Sequence, residues 1–386
     1  MPTTEARQVL DLFEEMWRDP YSAIAERGRT KRERPIGYFC SYVPEEILHA
    51  GGLTPVRIVG AERQVMLADA HLQSYCCSIA RTSLELALGG ELDFLDGTVF
   101  VQTCDTMQRL SDIWRLNTSF GFHGDVVLPT RMGDPLGVRY LTAELGAFRD
   151  RVSEFVGRRI EDAQLHESIR VYNRNRDLCE RLYELLARGH PWLTGKVVLG
   201  CVMAGMWMRK EEHNLLVEKV LEWAEDAAPV GGESGSVDGP IRLLVSGSLC
   251  TGSDLIETIE GLGAVVADDD LCCGHRYVEG RTEETGDPLE AMAQRLSDRV
   301  ICPAKHSSGW DRPSYLLRKA KGAGVVGVVF FLQHFCEPHA FDYPFVRDAL
   351  EAEGLKTLLI EADLDSASSG QMRTRVEAFL EVLGGI

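Results

Sequence analysis

Two stretches decide the fold: Gly97-Thr-Val-Phe-Val-Gln-Thr-Cys104 and Gly327-Val-Val-Phe-Phe-Leu-Gln-His-Phe-Cys-Glu-Pro338. Each is a short apolar, β-branched and aromatic run that ends in a cysteine, and a helical pattern follows, through Trp114 in one case and Leu350 in the other. The same strand–Cys–helix unit thus occurs once in each half. Cys77, at the start of another helical pattern, completes a group of three. In open α/β sheets ligands sit beyond the carboxyl ends of the strands. Two such sheets facing each other bring these cysteines into a cleft between domains. Thiolates gathered there hold a soft metal centre, and iron–sulfur is the form we expect.

Outward from these stretches, the alternation continues. Pro35-Ile-Gly-Tyr-Phe-Cys40 reads as a strand leading into the helix at Pro44, with Gly51 at its end. Thr54-Pro-Val-Arg-Ile-Val59 is the next strand, Ser78 to Leu88 the next helix, and Asp125-Val-Val-Leu-Pro129 a further strand. Strands separated by helices of this length imply parallel βαβ units. An amphipathic helix is predicted from Thr4 to about Glu26, before the basic Arg29-Thr-Lys-Arg-Glu-Arg34 turn. From Val138 to about Ala228 the pattern is almost wholly helical. Pro229 to Pro240, rich in Gly and Ser, reads as a linker. A second α/β set follows, with strands at Ile241–Ser246, Ala264–Ala267, Val325–Leu332 and Thr357–Glu361, and a last helix from Gln371 to Val382. The expected architecture is α/β: two Rossmann-like parallel-sheet domains with a helical segment between them and the cluster at their interface. We divide it as 1–155, 156–230 and 231–386.

At 386 residues more than one domain is expected, and 45% hydrophobic with 26% charged residues is an ordinary globular balance. A formal net charge of −18 argues against nucleic-acid binding, which needs a basic footprint. The N-terminal residues lack a signal-peptide pattern, and the longest apolar run, 325–332, is of strand length, so neither membrane insertion nor export is expected and a cytoplasmic location is. In that reducing compartment 11 cysteines point to metal or redox use rather than disulfides. Cys179, Cys201 and Cys250 lack the strand-end setting and read as small buried hydrophobes.

Other motifs are weaker. Gly322-Ala-Gly-Val-Val-Gly327 spells a dinucleotide fingerprint but closes a helix and opens a strand, the reverse of what the fingerprint requires, so no NAD site is expected. No Walker A sequence exists, so no ATP is expected on this chain. Paired CxxC hooks for structural zinc are missing. The cysteine pairs, Cys76-Cys77 and Cys272-Cys273, are adjacent, and one ligand with one packed neighbour is expected in each. His275, His334 and His339 read as solvated or capping residues. Of the two carboxylates in the helix after Cys40, one reads as a helix-dipole residue and the other, Glu46, as an acid/base facing the cleft.

The chain resembles the benzoyl-CoA reductase and 2-hydroxyacyl-CoA dehydratase family. The segments that carry the resemblance are Tyr42-Val-Pro-Glu-Glu-Ile-Leu-His-Ala-Gly-Gly-Leu-Thr-Pro55, Cys77-Ser-Ile-Ala-Arg-Thr-Ser-Leu-Glu85, Cys104-Asp-Thr-Met107 and His166-Glu-Ser-Ile-Arg-Val-Tyr-Asn173. Met208-Arg-Lys-Glu-Glu-His213, Phe335-Cys-Glu-Pro338, Phe341-Asp-Tyr-Pro344 and Thr374-Arg-Val-Glu-Ala-Phe379 extend it to nearly the whole chain. The resemblance implies an oxygen-sensitive 4Fe–4S cluster on Cys77, Cys104 and Cys336, with the fourth iron corner free of thiolate. It also implies electrons from a separate ATP-hydrolysing iron–sulfur activator. The dehydratases of the family form a ketyl radical from a 2-hydroxyacyl-CoA and eliminate water; its reductases drive electrons into resistant acceptors such as benzoyl-CoA.

This sequence departs from the dehydratase pattern at Asp268-Asp-Asp-Leu-Cys-Cys-Gly-His-Arg276, at Cys40 and at Cys302. Cys40, Cys302 and one of Cys272 and Cys273, with Cys272 favoured, make a second set of three. Resemblance to branches with a double cubane (8Fe–9S) makes a second set meaningful. The leading expectation is therefore an iron–sulfur reductase component acting on a small, difficult substrate. The alternatives are a single-cluster (R)-2-hydroxyacyl-CoA dehydratase subunit and a non-catalytic cluster-bearing partner. A homodimer or a heterodimer with a homologous subunit is expected, the helices of 138–228 supplying contact through faces that one small domain cannot bury.

Overall fold

A computed structural model describes residues 2–226, 239–248, 254–299, 302–307, 311–363 and 369–384. Most of the expected linker, and Cys250, lie outside them. The first sheet holds β1 (Pro35–Tyr38), β2 (Thr54–Arg57), β3 (Gly97–Val101) and β4 (Phe122–Val126), all parallel, in the order β2-β1-β3-β4. After β5 (Arg131–Met132) come β6 (Arg242–Gly247), β7 (Val265–Asp270), β8 (His306–Ser307), β9 (Gly327–Gln333) and β10 (Lys356–Ala362). The second sheet is again parallel, in the order β10-β9-β6-β7, while β5 and β8 form a small parallel pair across the two halves.

In both sheets the chain reverses its direction of growth once, between β1 and β3 and between β6 and β9. These are the switch points beyond which α/β ligands bind. Close approach there needs glycine. A Cβ on Gly247, the last residue of β6, would stand 2.2 Å from the Phe331 carbonyl oxygen of β9.

Several sequence boundaries shift, and two of the shifts have a clear cause. The expected helix from Thr4 to Glu26 is two helices, Thr4–Arg18 and Pro20–Lys31, because the Asp19 side chain caps the second and Pro20 opens it. β4 begins at Phe122 rather than Asp125. Its Phe-His-Gly-Asp-Val sequence has weak strand propensity, and pairing Gly97 with Phe122 along β3 imposes the register.

The helical region is Pro135–Val156, Asp162–Ala187, Gly195–Ala204 and Lys210–Asp226. Much of its apolar surface is covered within the chain, while Leu136, Tyr140, Trp192 and Leu215 stay exposed. Helix Thr4–Arg18 buries Phe13, Met16 and Trp17 against Gly195–Ala204 and Lys210–Asp226, and Asp162–Ala187 buries Leu178, Leu182 and Leu186 in the same core. Helix Pro288–Asp298 crosses back to the first sheet's side, placing Met292 and Leu296 beside Leu141 and Leu145 of Pro135–Val156. Among the described residues no helix is long and apolar enough to cross a membrane.

Candidate metal centre

Beyond the carboxyl ends of both sheets lies a cleft of 1190 Å³, and Cys40, Cys76, Cys77, Cys104, Cys272, Cys302 and Cys336 all line it. Cys40 follows β1, Cys104 follows β3, Cys272 follows β7 and Cys336 follows β9. Cys77 reaches the cleft from the head of helix Ser78–Leu88. The halves are tied across the cleft by Ser78 Oγ donating to Gln333 Oε1 (3.1 Å), by the Cys302 N–H donating to the Tyr42 hydroxyl (3.2 Å) and by Arg299 donating to the Ser41 carbonyl (2.8 Å).

The thiols fall into two groups by their surroundings. Cys77, Cys104 and Cys336 each stand at the N-cap of a helix, Ser78–Leu88, Asp105–Asn117 and Glu337–Ala352 respectively, with no side-chain capping bond. Phe335, just before Cys336, has φ 61, a left-handed turn that is strained for a bulky residue and aims the chain from β9 into the helix. His339 Nδ1 lies 3.5 Å from Cys336 Sγ, and burial holds its imidazole neutral, well below the usual range.

Cys40, Cys272 and Cys302 instead stand in loops beside buried cations. Arg57 Nη1 donates to the Cys272 carbonyl at 2.7 Å and Nη2 to Cys272 Sγ at 3.1 Å. Arg276 pairs with Asp270 at 2.9 Å, and Arg299 stacks over the Tyr42 ring at 4.8 Å. The Lys305 ammonium, which donates to the Gln102 carbonyl at 3.1 Å, acts electrostatically on Cys40, Cys302 and Cys104.

Burial pushes the Cys77 and Cys336 thiols up to about 12 and the Cys40 thiol to about 11. Cys104 and Cys302 are raised for the same reason. A helix N-terminus contributes only about 0.3–1 kcal/mol, less than one pKa unit, so desolvation wins at the capping cysteines. Neighbouring thiols add to the rise. Cys104 acts on Cys77, Cys77 and Cys104 act on Cys336, Cys302 and Cys272 act on Cys40, and Cys302 reaches Cys104 and Cys336 as well. The bare thiols of these five residues keep their protons at neutral pH, so binding a metal to them releases protons.

The residues present fit an iron–sulfur cluster. The donors are thiols, which select soft centres. Arg57 Nε, Arg299 Nε and Ser248 Oγ are buried without hydrogen-bond partners, and all three residues line the cleft. A pocket with orphaned donors and an excess of cations suits an anionic occupant. Among the described residues no three of His, Cys, Asp and Glu gather closely enough to hold a single ion. A cluster differs in being held at its separate irons by thiolates spread around it.

The adjacent cysteines separate. Cys273 is fully buried in the apolar core, whereas Cys272 lines the cleft; Cys76 and Cys77 both line it. Cys179 and Cys201 are buried in the core as expected. Glu46 does not come to the cleft. It is 5% exposed and ion-paired with Arg176, which holds its carboxyl below the usual range against the cost of burial. Glu45, beside it, accepts from the Tyr38 (3.1 Å) and Tyr277 (2.8 Å) hydroxyls. Of the histidines read as solvated or capping, His334 is partly exposed and pairs with Asp363 at 3.0 Å, whereas His275 Nδ1 lies 2.6 Å from Asp268 Oδ1 and His339 is buried.

Sequence reasoning missed Arg57, Arg276 and Arg299. The signal for Arg57 was present, a cation inside the apolar strand Thr54-Pro-Val-Arg57, where a charge needs a buried partner. It also missed the aromatic mouth of the cleft, where Tyr75, Phe335, Phe341 and Phe345 are more than half exposed.

Residues 40–383 match the family model for the 2-hydroxyglutaryl-CoA dehydratase D-component. A benzoyl-CoA reductase subunit of Thauera aromatica is 34% identical over 320 residues, 81% of either chain. The (R)-phenyllactyl-CoA dehydratase beta subunit of Clostridium sporogenes is 25% identical over 96% of this chain and 97% of its own. The lactoyl-CoA dehydratase beta subunit of Anaerotignum propionicum is 27% identical over 97% and 98%. The chain belongs to the 2-hydroxyglutaryl-CoA dehydratase D-component family, the enzyme family of the 2-hydroxyacyl-CoA dehydratases and benzoyl-CoA reductases.

Proposed function

We propose that this chain is an iron–sulfur reductase component that takes low-potential electrons from a separate ATP-hydrolysing activator and passes them to a small, hard-to-reduce substrate. The observation that supports the reading is the cleft itself, lined from both halves of the chain by Cys77, Cys104 and Cys336 at helix N-termini and by Cys40, Cys272 and Cys302 in loops. In this reading Cys77, Cys104 and Cys336 hold one 4Fe–4S unit, and Cys40, Cys272 and Cys302 hold a second, joined to it as a double cubane. Such a centre, when bound, supplies one-electron chemistry at low potential and storage for a second electron.

The chain's own residues do the rest. Buried thiols give up their protons to bind, and Arg57, Arg276, Arg299 and Lys305 offset the negative charge that results. The ties from Ser78 to Gln333 and from Arg299 to Ser41 hold the two walls together and limit water. The aromatic mouth offers an apolar face to an incoming substrate.

One observation favours a second reading: the two dehydratase relatives match over nearly their whole lengths. Under it the chain is a single-cluster 2-hydroxyacyl-CoA dehydratase subunit that works beside a homologous subunit. Anaerobic iron and sulfide analysis separates the two, since a double cubane needs about eight irons per chain and one cubane about four. Absence of turnover by the loaded chain with activator and ATP leaves it a non-catalytic partner.

A further inference from the structure

Arg57 is the last residue of β2 and is 2% exposed. Its backbone is clamped from behind: its N–H donates to the Met206 carbonyl at 3.0 Å, and its carbonyl accepts from Trp207 Nε1 at 3.0 Å. Its guanidinium therefore has one direction to take, across to the other half of the chain, where both Nη atoms meet Cys272. Among the described residues it forms no ion pair with a carboxylate, and its Nε is buried without a partner. A buried guanidinium without counter-charge is costly. Arg57 is therefore placed to answer the charge of a group held at the Cys272 sulfur.

The neighbouring cations are otherwise engaged. Arg276 has Asp270, and Arg299 donates to the carbonyls of Ser41 and Arg276. Across the cleft, the neutral His339 ring stands beside Cys336, a sulfur of the other group. A full positive charge thus bonds to sulfur on one side of the cleft and a neutral ring approaches sulfur on the other. Hydrogen bonds and charge at the ligand sulfurs tune the potential of an iron–sulfur centre, and a cation favours its more negative, reduced form.

We propose that Arg57 is a positioning residue that, through its bond to the Cys272 sulfur, makes the part of the centre held by Cys40, Cys272 and Cys302 the easier to reduce, so that the first electron delivered by a one-electron donor rests there. The inference depends on the two-group reading of the cleft. It is tested by titrating cluster-loaded Arg57→Gln and Arg57→Lys with titanium(III) citrate, following the reduced-state EPR signal and counting iron. With iron unchanged, the Gln variant should hold about tenfold less reduced centre at the poise where the parent is half reduced, and Lys should restore most of it. Equal titration curves at equal iron overturn the proposal. Loss of iron from both variants also overturns it, since Arg57 is then needed for the site to form. A parent protein with about four irons and one signal defeats the two-group reading instead.

Discussion

The two groups of thiols share a cleft but are supported by different parts of the chain. Cys77, Cys104 and Cys336 are held at helix N-termini, where the positive field belongs to backbone amides and persists whatever the side chains are. Cys40, Cys272 and Cys302 lie in loops, and their positive field comes from Arg57, Arg276 and Arg312, with Lys305 reaching Cys104 of the other group as well. On the proposed two-centre reading, one set of thiols is supported by the fold and the other by a few side chains. The second should therefore be open to change by single substitutions that leave the first intact.

The largest expected effect separates the groups outright. Cys302→Ala should remove about half the iron and alter the reduced-state EPR signal, while Cys77→Ala should cost the other half. Unchanged iron in the Cys302 variant would collapse the contrast to a single centre.

A smaller effect tests the claim that side chains hold the second group. Arg276 is 2% exposed, paired with Asp270 and bonded to the Gly247 carbonyl. Arg276→Met should lower apoprotein stability in denaturant by about 3–5 kcal/mol, because it strips a partner from a buried carboxylate. A loss under about 1 kcal/mol would show that Arg312, 2.9 Å from the same carboxylate, suffices.

The groups should also respond alike to pH, because burial acts on both. Cys40 at about 11 and Cys77 and Cys336 at about 12 hold their protons in the folded state longer than an unfolded thiol does, at about 8.5. Their contribution is full below that unfolded value and is lost as pH rises towards the folded ones. Apoprotein stability should fall above about pH 9, and Cys40→Ala should flatten the fall by up to about 1.4 kcal/mol per pH unit. An unchanged slope would mean that Cys40 is hydrated in solution.

The smallest effect belongs to Cys76, which lines the cleft beside Cys77 but belongs to neither group. Cys76→Ala should leave iron content and signal as they are, with stability within about 0.5 kcal/mol. Lost iron would put Cys76 among the ligands.

Much of this is legible in the sequence because it is periodic or punctuated. The runs ending at Cys104 and Cys336 announce two parallel sheets and the direction of their cysteines. What stays hidden comes from contacts distant in sequence. The break at Asp19-Pro20 is a local signal, a capping aspartate before a proline, masked by the apolar stripe that runs through it. The start of β4 has no such signal, since the ladder to β3 sets it against weak propensity. Glu46 looks free at a helix start, and only its pairing with Arg176, 130 residues away, turns it inward. Arg57 and Cys272 are 215 residues apart and nothing in either neighbourhood names the other.

The crossing of the cleft has a consequence for biosynthesis. Neither half carries a complete group: Cys77 and Cys104 wait for Cys336, and Cys40 waits for Cys272 and Cys302. Roughly 230 residues separate Cys104 from Cys336, on the order of 10–50 s of translation. Through that interval the early thiols stand at an unfinished surface, open to air and to stray metal. On the proposed reading, maturation of the centre is a late event, and a ribosome that stalls before Cys336 leaves a product that supplying iron cannot complete.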